Sequence, residues 1–94
     1  MARLDLFLRN TGLIKQRSQA KRACDDDRVR VDGKPAKPSQ EVRTGEIISI
    51  STETHYLEAE VLDIPLRPAA KKQRDRYFRI LRQEHHDLDE DLSF

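Results

Sequence analysis

Cysteine occurs once, at Cys24, so no internal disulfide can form, and this usage points to a reducing cytoplasm. No apolar run approaches the roughly 20 residues that a membrane-spanning helix needs, and the N-terminus carries no signal-peptide pattern. Glycine is scarce, with three in the chain, and no Gly-rich phosphate loop is present. Nor is there a large excess of one charge, for the formal net is +1. What is abundant is charge itself. At 94 residues, 36% hydrophobic and 37% charged, the chain fits one small domain with a thin core and a heavily solvated surface. The near-neutral total conceals segregation. Residues 1–46 hold eleven Lys/Arg against seven Asp/Glu, residues 67–82 hold seven against one, and residues 84–94 hold five acids and no Lys or Arg.

The most informative stretch is Arg28-Val-Arg-Val-Asp-Gly-Lys34, followed by Lys37-Pro-Ser39. Alternation places Val29 and Val31 on one face of a strand and Arg28 and Arg30 on the other. Asp32-Gly33 supplies the two residues with positive φ that a type I′ hairpin requires. Lys34 and Lys37 return beyond the turn. Two readings fit this hairpin: a cationic platform for a phosphate backbone, or an edge whose charge discourages aggregation.

Around it, Leu4, Phe7 and Leu8 at helical spacing predict a helix over 4–11, ended by Gly12. Ser18 is a candidate cap for a second helix starting at Gln19, with Ala20, Ala23 and Cys24 on its buried face. Asp25-Asp26-Asp27 falls where the helix dipole disfavours acids and is expected to leave the helix and pair loosely with nearby arginines. Thr44-Gly45-Glu46 reads as a turn into a strand over 47–51. A last strand covers 56–62, with Leu57, Ala59 and Val61 inward, and Pro65 is expected to close the sheet. Pro68 suits the start of a third, basic helix, in which Ala70, Tyr77 and Leu81, with Phe78, form an apolar stripe. The acidic end, 84–94, has the composition of a disordered tail.

Lys15-Gln-Arg17-Ser18 places two cations ahead of a helix N-terminus, where backbone N–H groups and the dipole also favour an anion. A solvated basic helix is the bland alternative. Taken together, Arg3-Leu4-Asp5, Leu8, Lys15-x-Arg17-Ser18-x-Ala20, Arg28-Val-Arg-Val-Asp-Gly33, Lys37-Pro-Ser39, Val42 and Gly45-Glu46-x-Ile48 resemble the RNA-binding domain named after ribosomal protein S-four. The resemblance spans about residues 3–50. It implies an α+β, S-four-type (αL) RNA-binding fold: two N-terminal helices on a small, mostly antiparallel sheet. It also implies RNA contacts at Arg3, Lys15, Arg17, Gln19, Lys21, Arg22, Arg30, Lys34 and Lys37. Asp27, Asp32 and Glu46 stand where the family usually has Gly, Asn and Asp, and none of these departures removes a cation. The chain's length and basic C-terminal part resemble two small bacterial groups. One is the heat-shock protein fifteen group, whose frequent first-helix tryptophan is replaced here by the Leu6-Phe7-Leu8 stretch. The other comprises the short factors that stabilise peptidyl-tRNA in ribosome-associated quality control.

The expected organisation is an RNA-binding domain over 1–63, a basic helix over 64–83 and the acidic tail. Lys71, Lys72, Arg76 and Arg79 would offer a second RNA surface. The implied function is non-catalytic binding of structured RNA, rRNA and tRNA, on the large ribosomal subunit. An enzyme-targeting module and a protein-interaction or chaperone module are the other two classes. No catalytic residue, cofactor, metal, membrane or small-molecule substrate is expected. His85-His86 with the tail acids does not preorganise a metal site, and Cys24 reads as a small core residue. Arg17, off the apolar face, is expected to matter for RNA and little for stability.

Overall fold

The computed structural model describes residues 2–85. Two helices, α1 (Leu4–Thr11) and α2 (Arg17–Asp25), cover one face of a five-stranded antiparallel sheet. The strands are β1 (Val29–Val31), β2 (Lys34–Pro35), β3 (Ile47–Ser51), β4 (His55–Val61) and β5 (Phe78–His85), in the order β2-β1-β3-β4-β5. The core follows from the two periodicities. Leu4, Phe7 and Leu8 descend from α1 and Ala20 and Cys24 from α2. They meet Val29, Val31, Ile48, Ile50, Leu57, Ala59 and Val61, the inward residues of three alternating strands. Small residues on α2 let that helix lie close to the sheet.

The helix ends are stabilised by the rest of the chain. No side chain caps α1; instead the Leu4 N–H donates to the Gln40 carbonyl (2.8 Å) and the Asp5 N–H to that of Pro38 (3.0 Å). Gly12 ends the helix in the left-handed region at φ +81°. The hairpin is as the pattern requires: Val31 faces Lys34, leaving Asp32 (φ +53°) and Gly33 (φ +83°) as a two-residue loop.

Four local expectations are corrected. The second helix begins at Arg17 with Gln16 as its cap residue, so Ser18 lies inside the first turn and caps nothing. Of the acidic triplet only Asp25 stays in the helix, as its last residue; Asp26 follows as the C-cap and Asp27 turns the chain at φ +60°, so these two leave it as expected. An aspartate tolerates that conformation better than most side chains, which accounts for a non-glycine here. Among the described residues no ion pair joins the triplet to an arginine.

The largest differences lie near the C-terminus. Pro65 does not close the sheet, and among the described residues no long basic helix follows it. A single 3-10 helix spans Lys71–Arg76, and the chain then returns as β5 along the edge of β4. The helical stripe and a strand pattern overlap in these residues, and the open edge of β4 decides between them. Phe78 and Ile80 face Val61 and Ala59 on the inner side, while Arg79 faces Glu60 on the outer side. A bulge between Glu58 and Ala59 shifts the register, which carries Arg82 to the outer side opposite Glu58 and breaks the simple alternation. Opposite charges across the pair add to the strand's stability. Glu84 and His85 belong to this strand; the rest of the acidic tail lies outside the described residues.

Candidate nucleic-acid interface

The site is organised around a residue to which the sequence reading gave no role. Asp5, in the first turn of α1, is 1% exposed. Its carboxylate accepts the Leu6 N–H (2.8 Å), Arg3 Nε (3.3 Å) and Nη2 (3.2 Å), and Arg17 Nε (3.4 Å). A buried anion at a helix N-terminus, held by two guanidinium groups from separate segments, fixes the entry of α1 against that of α2. Arg17 is therefore not independent of the fold: it is one of the two counter-charges of a buried acid. A signal was available, since Asp5 is the only acid in an otherwise apolar-faced helix and has arginines on its exposed side.

Loop 36–42 completes the arrangement. Its carbonyls hold the first turn of α1, and Ala36 and Val42 anchor it in the core. Lys37 is thereby brought to Arg3 and Lys21, and these three cations line one depression of about 360 Å³ with Asp25, Pro38 and Ser39. Along the exposed side of α2, Gln19, Lys21 and Arg22 share a second shallow surface with Ser18 and Asp25. Lys15 is exposed in the turn between the helices. Residues far apart in sequence, Arg3, Arg17, Gln19, Lys21, Arg22 and Lys37, thus form one basic region on the helical side. Asp25 is the acid that offsets it.

The remaining candidates lie elsewhere. Arg30 alternates with the buried Val29 and Val31 and points to the outer face of the sheet, away from the helices. Lys34 is exposed at the hairpin. The second set is divided as well. Lys71, Lys72 and Arg76 belong to the 3-10 helix, whereas Arg79 is on β5 with its guanidinium 2.8 Å from Glu60 Oε1. Arg74, not singled out from the sequence, lies against Gly12 at the end of α1, where a cation suits the dipole. On the outer face of β4 the Tyr56 hydroxyl donates to Glu58 Oε2 (2.6 Å). That bond, with some burial, raises the tyrosine's pKa. Burial, reinforced by Asp5 and Asp25, pushes the Cys24 thiol up to about 11, so it stays protonated and unreactive. Among the described residues no cluster of His, Cys, Asp and Glu could hold a metal, and no helix is long and apolar enough to cross a membrane.

Comparison with known proteins bears on the family and the fold. The family model described as the S4 domain matches residues 2–48. The RQC P-site tRNA stabilizing factor of Helicobacter pylori is 43% identical over 67 residues, covering 67% of this chain and 75% of that protein. The protein of the same name from Listeria innocua is 32% identical over 85 residues, covering 90% of this chain and 91% of its own length. Heat shock protein 15 of Vibrio cholerae, described as trimeric, has the same fold at TM-score 0.78 and 24% identity, over 84% of this chain and 80% of that one.

Proposed function

The chain belongs to the S4-domain family, and from that premise we propose that it is a cytoplasmic, non-catalytic RNA-binding protein of ribosome-associated quality control. It binds structured RNA on the large ribosomal subunit and there stabilises a tRNA in the P site; the names of its relatives state, of them, the stabilising of a P-site tRNA. The observation that carries this reading is the convergence of Arg3, Lys21 and Lys37 on one depression beside the Asp5 clamp. Asp5 matches Arg3, and Asp25 lines the same depression, but Lys21 and Lys37 have no ion pair among the described residues; a polyanion laid there meets their charge and releases its own counterions. The helices supply a rigid, fixed spacing. Phosphates are thus read by position and RNA by shape, with no base code needed.

The test is binding of large subunits or a structured ribosomal RNA fragment across a salt series. Four to six phosphate contacts predict log K falling against log salt with a slope of about −3 to −5. The double variant Lys21→Ala/Lys37→Ala should bind at least tenfold more weakly, about 1.4 kcal/mol, with a slope shallower by nearly two. Arg79→Ala should bind within about twofold of the parent, because its charge is already matched by Glu60. A double variant that binds like the parent, beside a weakened Arg79→Ala, would move the interface to the sheet and overturn the assignment.

A further inference from the structure

The outer face of the sheet carries a second constellation, on the side opposite the helices. Two cross-strand rows run side by side. Arg28, Ser51 and Tyr56 form one, with the Ser51 N–H donating to the Arg28 carbonyl (2.8 Å) and Ser51 facing Tyr56. Arg30, Ser49 and Glu58 form the other by direct register. The middle strand contributes only serines, so the rows enclose a trough of about 270 Å³ with a hydroxyl floor. Arg28 and Arg30 stand on one side and Tyr56 on the other, two strand spacings or about 10 Å apart. Asp27 lines one end.

Charge on this face is unevenly matched. Towards β5 every cation has an acid: Arg79 pairs with Glu60, Arg82 with Glu84, and Glu58 accepts the Tyr56 hydroxyl. Towards β1, neither Arg28 nor Arg30 has an ion-pair partner among the described residues. Arg82, reaching from β5, stacks on the Tyr56 ring at 5.8 Å from its centroid. The ring is therefore braced from the β5 side while it lines the trough on the other.

We propose that this trough is a second RNA contact that takes one unpaired nucleotide. The base stacks on Tyr56, the ribose hydroxyl meets Ser49 or Ser51, and Arg28 and Arg30 hold the phosphate. An aromatic wall facing two unmatched arginines across small hydroxyl residues suits a nucleotide, which has a flat π-face and an anion at about that separation. The inference rests on the proposed RNA-binding function and adds to it a contact for single-stranded RNA on the face away from Lys21 and Lys37. The protein would then engage two RNA segments at once.

The chain has no tryptophan and two tyrosines, so full-length Tyr77→Phe leaves Tyr56 as its reporter. Titration with a short, stemless RNA oligomer should quench that emission. Tyr56→Leu should weaken oligomer binding about tenfold, 1.4 kcal/mol, whereas Tyr56→Phe should stay within about twofold. Ser51→Glu, which places an acid between Arg28 and Tyr56, should abolish the quenching and provides an independent check if Tyr56→Leu folds poorly. Structured-RNA binding should be almost unchanged in both. Unquenched emission at saturating oligomer, or unaltered affinity in Tyr56→Leu and Ser51→Glu, overturns the proposal. So does a change in Tyr56 emission without RNA when the tail is neutralised (Asp87→Asn, Asp89→Asn, Glu90→Gln, Asp91→Asn), since the tail would then be the occupant. Failure of the trough alone leaves structured-RNA binding sensitive to Lys21 and Lys37. Failure of the proposed function removes structured-RNA binding from the parent itself.

Discussion

Replacing Asp5 with Asn preserves the shape of a buried side chain and removes its charge. The amide oxygen can still accept the Leu6 N–H and Arg3 Nε, but the NH2 group then turns donors towards Arg3 Nη2 and Arg17 Nε. Hydrogen bonds to charged groups are worth about 1.5–3 kcal/mol each when both partners are shielded. Here the acid is buried while the arginines are 46% and 51% exposed, so water takes over part of what they lose. A net loss of about 2 kcal/mol follows, including the smaller helix-dipole contribution. For a domain of this size that corresponds to a fall in Tm of roughly 8–16 °C. Thermal unfolding followed by circular dichroism measures it directly. Arg17→Ala should lower Tm by a smaller amount in the parent and by almost nothing in the Asp5→Asn background, because the two changes break the same contact. A Tm for Asp5→Asn within about 2 °C of the parent, well under the shift expected for 1 kcal/mol, would refute the clamp. Additive effects of the two variants would do the same.

Two further predictions concern stability. Folded Cys24 keeps its proton to about 11, whereas the unfolded thiol releases it around its ordinary value of 9.0. Between those values the unfolded state binds fewer protons, so the thiol makes stability fall as pH rises; urea melts below and within that window should show a shallower decline for Cys24→Ala. Gly33→Ala and Gly12→Ala both force a side chain into positive φ and should each cost about 1–2 kcal/mol by urea unfolding. Nothing lies near a Cβ at Gly33, whereas at Gly12 the three nearest atoms all belong to the Arg74 guanidinium, which must move aside, so a loss at Gly12 several times that at Gly33 would show Arg74 to be rigidly held.

Much of this protein was legible in local pattern. The apolar spacing of Leu4, Phe7 and Leu8, the stop at Gly12, the Asp32-Gly33 hairpin and the alternation in β3 and β4 each depend on neighbours within a few residues. The spacing of these elements also carried the family resemblance. What the tertiary structure decided were the partnerships between distant segments. Asp5 meets Arg17 only because α2 folds back across α1. Lys37 reaches Arg3 and Lys21 because loop 36–42 satisfies the open N–H groups of α1. Residues 78–85 could register a helical stripe or a strand, and the unpaired backbone edge of β4 chose the strand, drawing Arg79 to Glu60 on the outer face. Arg30 followed the same rule: alternation turned it outward, and the helices' position on the inner face separated it from the other cations. Local propensity is set by adjacent residues, whereas a strand edge, a buried carboxylate or a helix end takes whichever distant group satisfies it.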